Sequence, residues 1–206
     1  MQAARRLSVV SATSCARRRP IRDVRRFYTH TDMSEFSESY HLRSTSADDA
    51  VALLRRAGLP GFVFPPKKGW VTFFAAEGES QPDERITAAS QEILLHFDAC
   101  EDHGWSFSIF EAAKLVCRFK CDWTRKIRIE DSAYATAALE ALIAQQGAAS
   151  LSAVEAVFRP TSFEQAIQLR PAETFVSAVG LGQEAWLSFD YVAEDCDSYP
   201  NVIRVE

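Results

Sequence analysis

Residues 93–123, ILLHFDACEDHGWSFSIFEAAKLVCRFKCDW, decide the fold. Ile93, Leu95 and Phe97 fall at alternate positions, as do Trp105, Phe107 and Ile109, and then Leu115, Cys117, Phe119, Cys121 and Trp123. Successive side chains of a strand point to opposite faces, so each run turns one apolar face towards a core. The stretch predicts a three-stranded meander over about 91–123, with the acidic, histidine-bearing turn Asp98-Ala-Cys-Glu-Asp-His-Gly104 between its first two strands.

Upstream of the meander, a helix is signalled from Ser46. Ser46 can cap it, Asp48 and Asp49 suit the positive end of its dipole, Arg55 and Arg56 the negative end, and Gly58 with Pro60 stops it. Val51, Leu53 and Leu54 are its apolar stripe. Phe62 to Phe64 and Trp70 to Phe74 read as a strand pair around Pro65-Pro66 and a polar turn, and 78–83 as a loop. Downstream, alternation gives way to helical period. Helices are expected over 130–146 (ended by Gly147), 152–158, about 162–169 and 171–179, followed by strands over 186–192 and 202–205. The class is therefore α+β, with a mixed or mainly antiparallel sheet and helices packed on one face.

With 206 residues, of which 47% are hydrophobic and 25% charged, the chain is long enough to bury a sizeable core in one domain. No run approaches the roughly 18 to 20 apolar residues of a membrane span, so no membrane association is expected. Five cysteines at irregular spacing make no disulfide framework and point to free thiols in a reducing, cytoplasmic setting.

The net charge of −5 conceals an asymmetry. Residues 1–32 hold eight of the 23 basic side chains and only Asp23 and Asp32 of the 28 acids, so their balance is +6 and that of residues 33–206 is −11. Lacking apolar periodicity, residues 1–32 are set apart from the domain over 33–206. They read as an upstream extension of a chain starting at Met33, as an Arg-rich mitochondrial presequence, or as a basic arm. The acidic body is repelled by phosphate backbones, which argues against nucleic acid and for a basic protein partner.

Catalytic signatures are missing. The chain has no Gly-x-Ser-x-Gly elbow, no Gly-Lys-Ser/Thr phosphate loop, no Cys-x-x-Cys and no His-Glu-x-x-His. Cys100-x2-His103 followed by Cys117-x3-Cys121 has the outline of a zinc site. On a continuous strand, however, Cys117 and Cys121 stand about 13 Å apart, too far for one ion that holds each thiolate at about 2.3 Å. Both read better as core residues, and His96 as a partly exposed strand histidine.

The leading expectation is thus a non-enzymatic protein-binding module, of the kind that neutralises a basic partner, acting through acidic strand-end loops. Its binding residues are Asp98, Glu101, Asp102, His103 and Trp105 at the first turn, and Asp190, Glu194 and Asp195 in a second acidic segment. No cofactor is expected. The alternative from another class is a hydrolase using Asp98, Glu101, Asp102 and His103, its divalent metal held by Asp98, Asp102 and His103. The plainest reading is a structural domain without a specific ligand. A local echo, Leu95-His96-Phe97-Asp98 against Leu187-Ser188-Phe189-Asp190, suggests that two strands end in similar acidic loops.

Overall fold

The structure is a computed structural model that describes residues 36–206 apart from 77, 79, 148 and 149. The readings of residues 1–32 lie outside them. Among the described residues, eight strands form one open antiparallel sheet: β1 Phe36–Arg43, β2 Gly61–Val63, β3 Trp70–Ala75, β4 Leu94–Cys100, β5 Gly104–Glu111, β6 Lys114–Asp122, β7 Arg128–Glu130 and β8 Ile203–Val205. Their spatial order is β7-β6-β5-β4-β1-β3-β2-β8. The expected meander is β4-β5-β6, at one end of the sheet, and β1 continues it on the other side of β4.

Helix α1, Ala47–Ala57, forms as its sequence dictates. The Ser46 side chain accepts from the Asp48 N–H, and Gly58 closes the helix at φ +69°. It is followed by α2 Glu84–Ala89, α3 Thr136–Gln146, α4 Leu151–Glu155, α5 Phe163–Leu169, α6 Pro171–Ala178 and α7 Phe189–Glu194, with 3-10 turns at Gln183–Trp186 and Cys196–Ser198.

Register partners share a face, so the pairings assign each strand residue to one side. Tyr40, Leu42, Val71, Phe73 and Leu94 turn towards Ala50, Leu53 and Leu54 of α1 and Ile86 of α2. Leu95, Phe97, Trp105, Phe107, Cys117, Phe119 and Cys121 turn the other way, onto Leu139, Leu142 and Ile143 of α3 and Phe175 and Val176 of α6. The α+β class and the antiparallel sheet are as expected. The helices, expected on one face, divide between two, because α1 and α2 cover what the later helices leave open.

Three local expectations are corrected. Helix α3 starts at Thr136 rather than near 130, since Arg128–Glu130 pairs with β6 as β7. A register shift at Ile109/Phe110 pairs Ile109 with Cys117 but Phe110 with Leu115, so Leu115 leaves the core face and is exposed. The strand expected over 186–192 is the end of a 3-10 turn followed by α7. The echo with 95–98 therefore joins a strand to a helix start and implies no repeat.

Candidate functional site

The first half of β1 builds the site. β1 pairs with β3 only from Tyr40 to Arg43, while Phe36–Leu42 pair with β4 on the other side. The sheet is forked below Tyr40, and the chain at 185–187 enters the fork. Leu187 C=O accepts from the Glu38 N–H at 3.1 Å, Trp186 C=O from the Ser37 hydroxyl at 3.1 Å, and Ala185 C=O from the Ser39 hydroxyl at 3.2 Å.

On the α1/α2 face, polar residues cross the sheet in two adjacent rows. Glu38, Asp98, Ser106 and Lys120 are successive register partners on β1, β4, β5 and β6, and Tyr40, His96, Ser108 and Arg118 form the next row. Glu38 Oε1 meets His96 Nε2 at 3.0 Å with the side chains only 7% and 1% exposed. Glu38 Oε1 can only accept when ionised, so the Nε2 proton belongs to His96. His96 Nδ1 and Asp98 Oδ1 are buried and find no hydrogen-bond partner among the described residues. Burial pushes the Asp98 carboxyl up to about 6. His96 opposes this rise, the Glu38 charge adds to it, and Lys120 and a hydrogen bond from the Ser80 side chain oppose it, all within that net value.

The loop between β3 and α2 folds over these rows. Its Asp83 N–H donates to Tyr40 Oη at 2.8 Å, its Ser80 N–H approaches Glu38 Oε2 at 3.4 Å, and its Gln81 Oε1 accepts from Arg118 at 2.8 Å. Gly78 lies so close to Glu38 that a Cβ there would strike the carboxylate. A pocket of about 230 Å3 opens beside Glu38, lined by Phe36, Glu38, Tyr40, Ala75, Gly78, Ser188, Phe189 and Asp190.

The first acidic turn lies at this same end of β1, since Cys100 is the register partner of Phe36. Glu101, Asp102 and His103 are exposed there, and His103 Nδ1 approaches Cys100 Sγ at 3.2 Å. Trp123, at the end of β6, donates its indole N–H to the Glu101 C=O at 2.8 Å and meets the exposed ring of Phe163 on α5 edge-on. Asp190 reaches this end through the fork. Glu194 and Asp195 lie at the far end of α7, about 9 Å along a six-residue helix.

One site expectation is corrected. Trp105 is 1% exposed and unavailable to a partner. Its ring packs among Phe107, Phe119, Phe158 and Phe175 at centroid distances of 5.0 to 5.9 Å, because odd-numbered β5 residues face the helices. Asp98 lies on the sheet face between its register partners Glu38 and Ser106, while Asp102 and His103 lie in the exposed turn. Among the described residues no three His, Cys, Asp or Glu side chains are placed to hold a metal ion. Cys117 and Cys121 are buried free thiols, raised by burial, Cys121 to about 11.

Sequence reasoning missed Glu38 and Tyr40, and it read His96 as partly exposed although it is buried. Their one signal is alternation: His96, Asp98, Ser106, Ser108, Arg118 and Lys120 occupy the strand positions between the apolar ones. Comparison with known proteins adds nothing to the geometry. No family model, curated protein or solved structure matches the chain. Nor is any described helix long and apolar enough to cross a membrane.

Proposed function

We propose that this protein is a binding module that docks a basic protein on the edge formed by its acidic strand-end segments. One observation carries the reading: the turn with Glu101 and Asp102 and the segment containing Asp190, 88 residues beyond Asp102 in sequence, flank the same end of β1. Acids gathered on one rim attract a basic partner and orient it before contact, and they do so without a catalytic group. Trp123 and Phe163 supply an aromatic contact beside the rim, and aromatic anchors surrounded by polar residues are how docking faces are built. The exposed pair Arg125 and Lys126 bounds the acidic edge on the β6 side.

The test reverses charge at exposed positions, Glu101→Lys, Asp102→Lys, Glu194→Lys and Asp195→Lys together, and compares the bait with wild type in capture from the native cell. A basic protein retained in stoichiometric amount by wild type, released by salt and bound at least tenfold more weakly by the variant, is the expected result. Identical captures from both baits, with unchanged melting curves, remove the reading.

A further inference from the structure

We propose that the pocket beside Glu38 receives an arginine side chain of the basic partner, with its guanidinium between Glu38 and Asp190 and its plane against the rings of Phe36, Tyr40 and Phe189. The inference rests on the docking reading above and names the chemistry of its central contact.

The lining selects a cation. Two carboxylates and three aromatic rings surround the space, and among the described residues no basic side chain lines it. Glu38 is 7% exposed, so its charge acts through protein rather than water and attracts more strongly than a surface carboxylate. One of its oxygens is held by His96, and among the described residues the other has the long 3.4 Å approach of the Ser80 N–H. Gly78 carries no side chain at the point where a Cβ would meet that carboxylate. Asp190 is exposed at the mouth, where it meets an incoming charge first.

Size and shape narrow the cation to arginine. About 230 Å3 lies below the roughly 300 Å3 at which pockets for whole small-molecule ligands begin, and suits one side chain. A guanidinium is planar, weakly hydrated, able to bond two carboxylates through its fork and to stack on aromatic faces, whereas an ammonium keeps its water and has no flat face. The fork in the sheet creates the space, because β3 diverges from β1 below Tyr40 and the chain at 185–187 fills only the backbone edge.

The experiment titrates the full chain with the capped tripeptides Gly-Arg-Gly, Gly-Lys-Gly and Gly-citrulline-Gly and follows backbone amide shifts by NMR. Saturable shifts of Gly78, Ser188 and Asp190 with the arginine peptide are expected, at least threefold weaker with lysine and absent with neutral citrulline. Asp190→Asn, a surface change that leaves the fold intact, is expected to weaken arginine binding at least threefold, and Phe36→Ala to do the same independently. No saturable shift, equal response to citrulline, equal affinity for lysine, or an unchanged response in both variants overturns the proposal. The two readings fail separately. Capture lost on charge reversal without a peptide response overturns the pocket and leaves the docking edge, while a peptide response with capture unaffected by charge reversal upholds the pocket and removes the edge.

Discussion

Two buried ionisable residues on opposite faces of the sheet, His41 and Asp98, couple stability to pH with opposite signs. His41 is fully buried, with Nε2 2.9 Å from Ser39 Oγ and Nδ1 3.0 Å from Thr72 Oγ1. Ser39 spends its hydroxyl hydrogen on the Ala185 C=O, so Nε2 donates to Ser39, and in the neutral ring that burial favours Nδ1 accepts from Thr72. Burial, reinforced by His96, lowers the His41 pKa to about 3 and so keeps the ring neutral. An unfolded histidine titrates near 6.5, so the stability His41 contributes is complete above that pH and declines as pH falls towards 3. Asp98 has the opposite sign. Its folded value of about 6 lies above the unfolded carboxyl value, so its contribution is complete below about 4 and is lost as pH rises through 6. Between about 4 and 6 the two slopes oppose each other. Asp98→Asn should raise stability at pH 7.5 by roughly 1 to 3 kcal/mol and leave a variant that loses stability steadily as pH falls from about 6.5 to about 4, where wild type stays nearly level. Urea unfolding across that range checks it. Trp105→Ala should cost about 3 to 5 kcal/mol in the same assay, the penalty for emptying an aromatic core.

At the scale of elements, two glycines with positive φ separate conformational strain from steric exclusion. Gly58 at the end of α1 has φ +69° and open space around it, so Gly58→Ala should cost about 1 kcal/mol, the strain of the left-handed conformation. Gly104 has φ +134°, and a Cβ there would run into the Cys121 carbonyl of β6. Gly104→Ala must push β5 from β6 and should cost at least about 3 kcal/mol, a difference thermal unfolding of the pair resolves. The helix cap was legible, since Ser46, two acids, two arginines and Gly58 act within one helix. The segment 186–192 was not. Leu-Ser-Phe-Asp-Tyr-Val alternates as a strand does, but a short apolar run cannot be assigned by period alone. Here β1 offers its edge only one described backbone bond, the Glu38 N–H to Leu187, and the chain then turns into α7 with Phe189 on Phe62 and Val192 buried.

Across the whole molecule, the carboxy-terminal strand ties together elements distant in sequence. β8 pairs with β2, Val205 is buried in the cluster that contains α1, and Val202 packs against the cluster of Phe62, Phe64, Phe74 and Val192. Deleting residues 200–206 should lower the melting temperature by several degrees and expose those aromatic rings, seen as increased binding of a hydrophobic dye. The sequence by itself determined the meander, helix α1, the strand pair β2–β3 and the α+β class, because each follows from period, cap or turn chemistry within a few residues of chain. Only the tertiary structure decided that helices cover both faces, that Trp105 is core, and that Glu38, Tyr40, His96, Asp98 and Asp190 gather at one end of β1. The physical reason is register. Alternation assigns a residue to a face, but which residues become neighbours depends on strand order and pairing, fixed by burying both faces of the sheet at once.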